Sequence, residues 1–579
     1  MIKDDAKSLI SKEKVVLVGG YLPGIYPPGE DDVVSRLLST AFLKASADDD
    51  PEIAKKYDIH IIDVPTTSNP AEIAKQICEF EPVIVAYSVY MWNYDITVQT
   101  LEIIKETAPQ IRVIMGGPLV SYTSKEFLRD HPLVDVIVCG SGESRFKKLL
   151  KSDFGEGSLS KIPRITYRSN KQIVHTTGEV QEDLAKIPSP YQKKIYDLED
   201  GNRHTVFIET YRGCPFECGY CIWGEPDVSL YKFPIDQILK DIEIIYNSPN
   251  VETVIFADAC LFYTRERAKL ICEKIASCSQ QIPTVLTLDI LVLNEEMIRA
   301  LQTINLMHGS FHFGLQSTNL VALELLKRKS GPEIFKRRID LLREMVPNAE
   351  VSFDLIYGLP GDNYQGFRES VNFALSLNPS KLYLSPLLLL PGTPFWDNKE
   401  KHGFVYDNNP PYMVYANNEF SEEDMAKTFR LVLWVLVIFY FPAIRDTICR
   451  IPKYNPKYSF IELIDMFVED LKVKIDPISS FDFDFTIASN NKARRHVMDT
   501  FTRPENSLHV FESMLEILEF CEAEALVEDI KIGVNYYKNL SDGDKLQDHN
   551  FSVEGRGDFG EGIYEKEKIQ YVKSTWVRA

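Results

Sequence analysis

Tyr211-Arg-Gly-Cys-Pro-Phe-Glu-Cys-Gly-Tyr-Cys221 is the stretch on which the reading of this chain turns. Its thiols, Cys214, Cys218 and Cys221, are separated by three and two residues, just after the apolar run Val206-Phe207-Ile208. Cysteine thiolates are the usual ligands of iron–sulfur clusters. Thiols at this spacing can wrap one corner of a cluster, and the next cysteine is as far off as Cys260. A cluster held by three protein ligands keeps one iron open to a substrate. A structural zinc ion asks for four ligands in paired short spacings, and no partner pair accompanies the triplet. Disulfides belong to oxidising compartments, and the first residues, Met-Ile-Lys-Asp-Asp-Ala-Lys, lack the apolar core of a secretory signal. The remaining cysteines (Cys78, Cys139, Cys260, Cys272, Cys278, Cys449 and Cys521) read as small hydrophobes packed in cores.

At 579 residues the chain has room for three or four domains. Hydrophobic residues make up 45% and charged residues 26%, the balance of a globular protein. A net charge of −20 disfavours extended contacts with phosphates, so no nucleic-acid partner is expected. The apolar run Leu431–Phe441 falls short of the ~20 residues that span a bilayer. It reads as a buried helix or a pocket wall, and the protein as cytoplasmic, with no membrane partner.

Upstream of the cysteines, apolar strand-like runs alternate with amphipathic helical ones. Val15–Gly19, Ile59–Val64, Val83–Ser88, Val113–Gly116 and Val134–Cys139 read as strands. Val33–Ala45, Ala71–Phe80, Val98–Thr107 and Lys125–Arg129 read as helices. Such alternation predicts a doubly wound parallel sheet, whose ligands bind beyond the carboxyl ends of the strands. Gly19-Gly20, Ser88, Gly116-Gly117-Pro118 and Gly140-Ser-Gly-Glu143 fall at those ends. Gly140 and Gly142 form a G-x-G after the last strand, without a third glycine, which makes a weak dinucleotide signal. Loops that only turn the chain are the plain alternative for each of these glycines.

These features resemble the cobalamin-dependent radical S-adenosylmethionine (SAM) enzymes. The cysteine spacing matches their cluster loop, in which the open iron chelates the amino and carboxylate groups of SAM. The Pro-rich loop Tyr21–Gly29, the segment Tyr87–Asn93 and the Gly-Gly-Pro turn resemble their N-terminal cobalamin-binding domain. The segment Asp58-Ile-His60-Ile-Ile-Asp63 nearly spells the D-x-H-x-x-G cobalt-ligand motif of other cobalamin proteins, but it lacks the glycine and lies within a strand. No protein histidine on the cobalt is therefore expected.

The resemblance implies a fold of class α/β in four parts. Residues 1–150 are a cobalamin-binding Rossmann-like domain and 151–203 a connector with a short hairpin. Residues 204–400 are a radical SAM (β/α)6 partial barrel, and 401–579 a mainly helical, substrate-capping domain. Barrel strands are expected to end at Ala257-Asp258, at Leu293, at Gln316-Ser-Thr318, at Gly358-Leu-Pro-Gly-Asp362 and at Pro391-Gly-Thr-Pro394, after a first strand that feeds the cysteine loop. Strand ends build the active site in such barrels. Helices are expected over Glu422–Phe441, Phe460–Val473 and Asn506–Val527, and a strand-like piece over Phe481–Phe485.

The implied cofactors are a 4Fe-4S cluster on Cys214, Cys218 and Cys221, SAM, and cobalamin. Tyr220 is expected on the adenine, Asp258 on the SAM ammonium, and Gln316 and Ser317 on its carboxylate or ribose. Gly358, Pro360 and Gly361 are expected at the adenine edge; Ser88, Gly116, Gly117, Gly140, Gly142 and Glu143 around cobalamin. Helix capping for Asp258, a strand edge for Gln316 and plain core for Tyr220 are the alternatives. Strand two departs from the family pattern at Ala257-Asp258-Ala259, and strand three offers Thr287 and Asp289 where a glutamate is frequent.

The implied activity is methylation of a carbon centre in a small-molecule or peptide intermediate. One SAM supplies the methyl group through cobalamin, a second the 5′-deoxyadenosyl radical, and a flavodoxin- or ferredoxin-type donor the electrons. A rearrangement or cyclisation with the same cofactors, a non-radical aromatic C-methylation and a cobalamin or redox sensor are the competing readings.

Overall fold

The computed structural model describes residues 12–24, 32–170, 172–178, 182–223, 230–307, 310–477, 487–501 and 503–541, with short strands at 551–552 and 563–564. The second half of the Pro-rich loop and the Phe481–Phe485 piece lie outside the described residues. The chain divides into two compact units. One comprises residues 1–216, 222–259 and 266–285; the other comprises 217–221, 260–265 and 286–579.

The first unit begins with β1 (Glu13–Tyr21), β2 (Val34–Arg36), β3 (Tyr57–Pro65), β4 (Ile84–Ser88), β5 (Arg112–Gly116) and β6 (Val136–Val138). A hairpin of β7 (Ile165–Ser169) and β8 (Gln172–His175) follows. All but β2 form one sheet in the order β3-β1-β4-β5-β6-β7-β8. The first five are parallel and the hairpin is antiparallel. Val15, Val16 and Leu17 are wholly buried, as in a parallel strand covered on both faces. Strand order reverses between β1 and β4, and such a switch point opens the ligand crevice. The hairpin expected as part of a connector thus extends this sheet, beyond the expected boundary at residue 150. His60 is a strand residue in β3, paired with Val16, with its ring 4.4 Å from that of Phe80.

β2 corrects the expected helix over Val33–Ala45. Its residues join a second sheet, where Val34, Ser35 and Arg36 pair with His204, Thr205 and Val206 of β9 (His204–Ile208), and the helix begins only at Leu38. Sheet pairing far along the chain decides that segment against local periodicity. After β9 come β10 (Tyr211–Arg212) and β11 (Tyr231–Lys232), an antiparallel ribbon at the base of the cysteine loop. β12 (Val251–Phe256) and β13 (Thr284–Val285) complete the second sheet, in the order β13-β12-β9-β2. The third barrel strand is far shorter than the expected Val285–Leu293. Asp289 accepts the Leu291 amide at 2.9 Å and turns the chain into a short 3-10 helix over Ile290–Val292.

The second unit carries β14 (Ser310–Gln316), β15 (Glu350–Tyr357) and β16 (Lys381–Pro386), a parallel sheet in that order. The helices that follow include Glu422–Tyr440, Pro442–Tyr454, Phe460–Lys474, Pro504–Phe520 and Val527–Ser541. Glu422–Tyr440 is capped by Ser421, whose hydroxyl accepts the Asp424 amide at 3.2 Å. It is buried from Leu431 to Phe439, which makes it the core helix that the apolar run implies. Among the described residues no single helix is long and apolar enough to cross a membrane.

Candidate functional site

Alternation along β14–β16 gives that sheet two unlike faces. Phe311, Phe313, Phe353, Leu355, Leu382 and Leu384 are buried on one side. On the other side His312, Gly314, Asp354, Ile356 and Tyr383 are only half-buried and Ser385 is exposed. A sheet face left polar and open inside an α/β unit is where a ligand is received. His312 Nε2 lies 2.7 Å from Asp354 Oδ2, its Nδ1 2.9 Å from Ser352 Oγ, and the Tyr383 ring stands edge-on at 5.3 Å.

Gln316 ends β14 at a register slip, with φ +66°. Its Oε1 is buried and accepts no hydrogen bond among the described residues. A strained residue and an open buried acceptor are what a ligand's donor would satisfy. Arg328 donates to the Gly314 carbonyl at 2.7 Å, pairs with Asp289 Oδ2 at 3.1 Å and lies 3.9 Å from Cys218 Sγ. These contacts hold a cation, paired with Asp289, beside the buried Cys218 thiol. Gly219 is held on both sides: its N–H donates to the Leu326 carbonyl at 3.1 Å, and its own carbonyl accepts the Phe395 N–H at 3.0 Å. A Cβ there would come within 2.9 Å of the Phe395 ring, so the backbone between Cys218 and Tyr220 needs glycine. Tyr220, half-buried, packs against the apolar cluster of Leu326, Leu359 and Phe395.

Two of the expected SAM contacts are already engaged within the fold. Asp258 is not a free carboxylate. Its Oδ1 accepts the amides of Thr210 (2.8 Å) and Tyr211 (3.2 Å), and its Oδ2 accepts the Thr210 hydroxyl (2.8 Å). Burial pushes its carboxyl up to about 7, against the pull of those hydrogen bonds. Ser317 is likewise committed, donating to Asp362 Oδ2 at 2.9 Å and accepting the Asn319 amide at 3.0 Å. Both hold turns, because a short polar side chain at a strand end is consumed by the nearest backbone amides. In the glycine turn, Gly358 (φ +80°) gives its carbonyl to Asn417 Nδ2 at 2.8 Å, Pro360 is buried, and Gly361 packs on Val321 and Leu325.

In the first unit, Gly19 and Gly20 border a small cavity of about 10 Å³, with Val18, Val64, Tyr87, Thr97 and Thr100. The Tyr87 hydroxyl is buried without a partner among the described residues. Ser88 gives its carbonyl to Asn93 Nδ2 at 2.9 Å, and Gly116 its carbonyl to the Val89 amide at 2.7 Å. Gly117 has φ +108°, and a Cβ there would lie 2.5 Å from the Val89 carbonyl oxygen. Gly140 donates its N–H to Ser121 Oγ at 3.2 Å, and Gly142 faces Leu43. Glu143, expected near cobalamin, is engaged by another side chain of the protein. Its carboxylate takes a bidentate pair from Arg212, at 3.0 and 2.6 Å. Arg212 and Glu209, which lie 2.9 Å apart, and the Arg328–Asp289 pair were missed by the sequence reading. Only an unusually placed charge next to a cysteine motif could have flagged them.

Cys218 is buried, and Cys214 and Cys221 are half-buried. Among the described residues no group of three His, Cys, Asp or Glu side chains converges to hold a single metal ion. Each thiolate of a cluster serves a different iron, so cluster ligands need not converge on one point.

A B12-binding domain model matches residues 52–150, and a radical SAM superfamily model matches residues 208–374. The chain thus matches a B12-binding region followed by a radical SAM region, in the order that the upstream sheet and the cysteine loop take along it. Among curated relatives it is 27% identical over 426 residues to the cobalamin-dependent radical SAM methyltransferase TokK of Streptomyces tokunonensis, covering 71% of this chain and 61% of that one. It is 26% identical over 433 residues to the 2-(S-pantetheinyl)-carbapenam-3-carboxylate methyltransferase of Streptantibioticus cattleyicolor, with the same coverage of 71% and 61%. The chain thus spans about three fifths of the length of these relatives. The solved radical enzyme OxsB, with aqua-cobalamin and SAM bound, shares the fold at a TM-score of 0.59 and 14% identity, over 93% of this chain and 82% of that one.

Proposed function

We propose that this chain is a cobalamin-dependent radical SAM methyltransferase that methylates a carbon centre of a small-molecule or peptide intermediate. The observation that carries the reading is the constellation on the second unit's open face. There Cys218 and Tyr220 flank the pinned Gly219, and Arg328 and Gln316 aim a cation and an unfilled acceptor at the same strand ends. The methyltransferases TokK and carbapenam-3-carboxylate methyltransferase, similar over 71% of this chain, favour methyl transfer over cyclisation or sensing.

Cys214, Cys218 and Cys221 would hold a 4Fe-4S cluster, the open face would hold SAM, and the strand ends of the first sheet would hold cobalamin. When bound, these groups supply one-electron cleavage of SAM and a carrier for its methyl group. Arg328 meets the carboxylate end of SAM, where a charge-assisted hydrogen bond orients it. Gln316 Oε1 accepts a hydroxyl or ammonium hydrogen. Tyr220, held by packing, offers its ring to a base. The Gly358–Gly361 turn, with carbonyl and amides partly spoken for, sets the wall beside it. Cobalamin would meet Gly117 and Gly140 at the ends of β5 and β6, with the Tyr87 hydroxyl buried below, and no histidine of this domain would ligate cobalt. A flavodoxin- or ferredoxin-type protein would deliver electrons in the cytoplasm, where free thiols persist. None of the ten cysteines is joined in a disulfide.

The test uses SAM itself as the probe. Anaerobically reconstituted protein, given hydroxocobalamin, reductant and SAM, is expected to release both S-adenosylhomocysteine and 5′-deoxyadenosine. Release of neither product would overturn the reading. 5′-Deoxyadenosine without S-adenosylhomocysteine would favour a rearrangement or cyclisation.

A further inference from the structure

The ribbon β10–β11 is the stem of the cysteine loop, and Cys214 follows two residues after Arg212. Both strands of this stem are bonded to one loop of the first sheet, at the carboxyl end of β6. From β10, Arg212 reaches Glu143 with two hydrogen bonds, at 3.0 and 2.6 Å. From β11, the Tyr231 hydroxyl lies 3.2 Å from Ser141 Oγ. Arg212 is further fixed by Glu209 at 2.9 Å and by the rings of Phe42 and Phe233, at 5.5 and 5.6 Å from the guanidinium carbon. The side chains of Arg212 and Glu143 are 13% and 6% exposed, so this pair is shielded from water and salt.

Thr210, the residue before the stem, is held as firmly. Asp258 takes its amide and hydroxyl, and Arg267 donates to its carbonyl at 3.1 Å. The loop at 140–143 is equally constrained: Gly140 donates to Ser121, and Arg145 binds the Ser141 carbonyl and Glu182. The stem and the loop therefore move as one piece or separate by breaking a buried ion pair.

From this geometry we infer that the Glu143–Arg212 and Ser141–Tyr231 contacts couple cobalamin binding to cluster binding. The inference rests on the cofactors assigned under the proposed function. A ligand at the carboxyl ends of β5 and β6 that shifts the 140–143 loop shifts the stem with it, and the stem sets the position of Cys214. Coupling between two binding sites is reciprocal, so a cluster in the cysteine loop must raise the affinity for cobalamin by the same factor. Glu143 and Arg212 are positioning residues, acting through the loops they join.

Hydroxocobalamin affinity is measured on the full chain in its cluster-free and reconstituted forms. The parent is expected to bind at least about fivefold tighter with the cluster present, the lower end of ordinary coupling. Glu143→Gln keeps the shape but removes the charge, and its ratio is expected to fall towards one. Tyr231→Phe deletes a single hydroxyl and is expected to reduce the ratio partway, which keeps the idea testable should the Glu143 variant fold poorly. Equal affinity in the two forms of the parent overturns the coupling alone. An undiminished ratio in both variants overturns the assignment to these contacts. A parent that binds no hydroxocobalamin in either form overturns the cofactor reading and the coupling with it.

Discussion

Asp258 illustrates how a single carboxylate can look like a ligand contact in sequence and act as a clamp in the fold. It satisfies two backbone amides and a hydroxyl at the point where β9 passes into the cysteine stem. Asp258→Asn keeps the shape but replaces the Oδ2 acceptor with an NH2 group that only donates, so the Thr210 hydroxyl must reverse its hydrogen bond and destabilisation of about 1–3 kcal/mol is expected, measured by urea unfolding. The effect depends on pH. An unfolded aspartate titrates near 3.8, whereas burial raises the folded group to about 7. Between those values the folded chain keeps a proton that the unfolded chain has lost, so this group's contribution to stability falls as pH rises and is level above it. The stability gap between parent and D258N should therefore shrink by about 2–3 kcal/mol from pH 5 to pH 7.5. A constant gap would show that the carboxyl titrates normally. Gln316 is the opposite case, with an acceptor that nothing in the described fold uses. Gln316→Ala should leave the unfolding midpoint nearly unchanged and weaken SAM binding to the reconstituted protein about three- to tenfold, the worth of one neutral hydrogen bond. Unaltered SAM affinity would remove Gln316 from the site.

The elements that position these residues depend on close approaches between strand ends. Gly117 follows β5 with φ +108°, and an added Cβ would lie 2.5 Å from the Val89 carbonyl oxygen and 2.8 Å from its amide nitrogen. The backbone conformation alone costs a non-glycine residue ~1–2 kcal/mol, and the overlap adds to it. Gly117→Ala is expected to lose at least about 2 kcal/mol of stability and to bind hydroxocobalamin more weakly, both read on purified full-length protein. A variant as stable as the parent would mean that the β4 and β5 ends can part freely. Most strands of the first sheet were legible because parallel strands covered on both faces write continuous apolar runs, as Val15–Val18 do. The β2 segment was misread, since its strand state comes from pairing with β9, about 170 residues away, which no local period encodes. The third barrel strand was overdrawn because Val285–Leu293 is apolar enough for a strand, while the Asp289 cap that breaks it is a side-chain event. In the candidate site, the cysteine triplet was legible as a motif. Arg212, Arg328 and the commitments of Asp258 and Ser317 were not, because a charge's partner is chosen by the fold.

At the scale of the whole molecule, the thiols expected to hold a cluster and those expected in cores differ in their surroundings. Burial pushes the Cys272 and Cys449 thiols up to about 12, so they stay protonated and poor as ligands. Cys218, buried too, lies instead 3.9 Å from the Arg328 guanidinium. Changing Cys214, Cys218 and Cys221 together to Ala is expected to abolish the iron content and the charge-transfer absorbance of the reconstituted protein. Cys272→Ala and Cys278→Ala are expected to keep both. The seven-stranded sheet contains none of the triplet, so the triple variant should still bind hydroxocobalamin, at the weaker affinity of the cluster-free parent. Iron retained by the triple variant would place the cluster on other thiols. Loss of all cobalamin binding would show that the first sheet folds only around an occupied cysteine loop, a dependence far stronger than two side-chain contacts across the stem can carry.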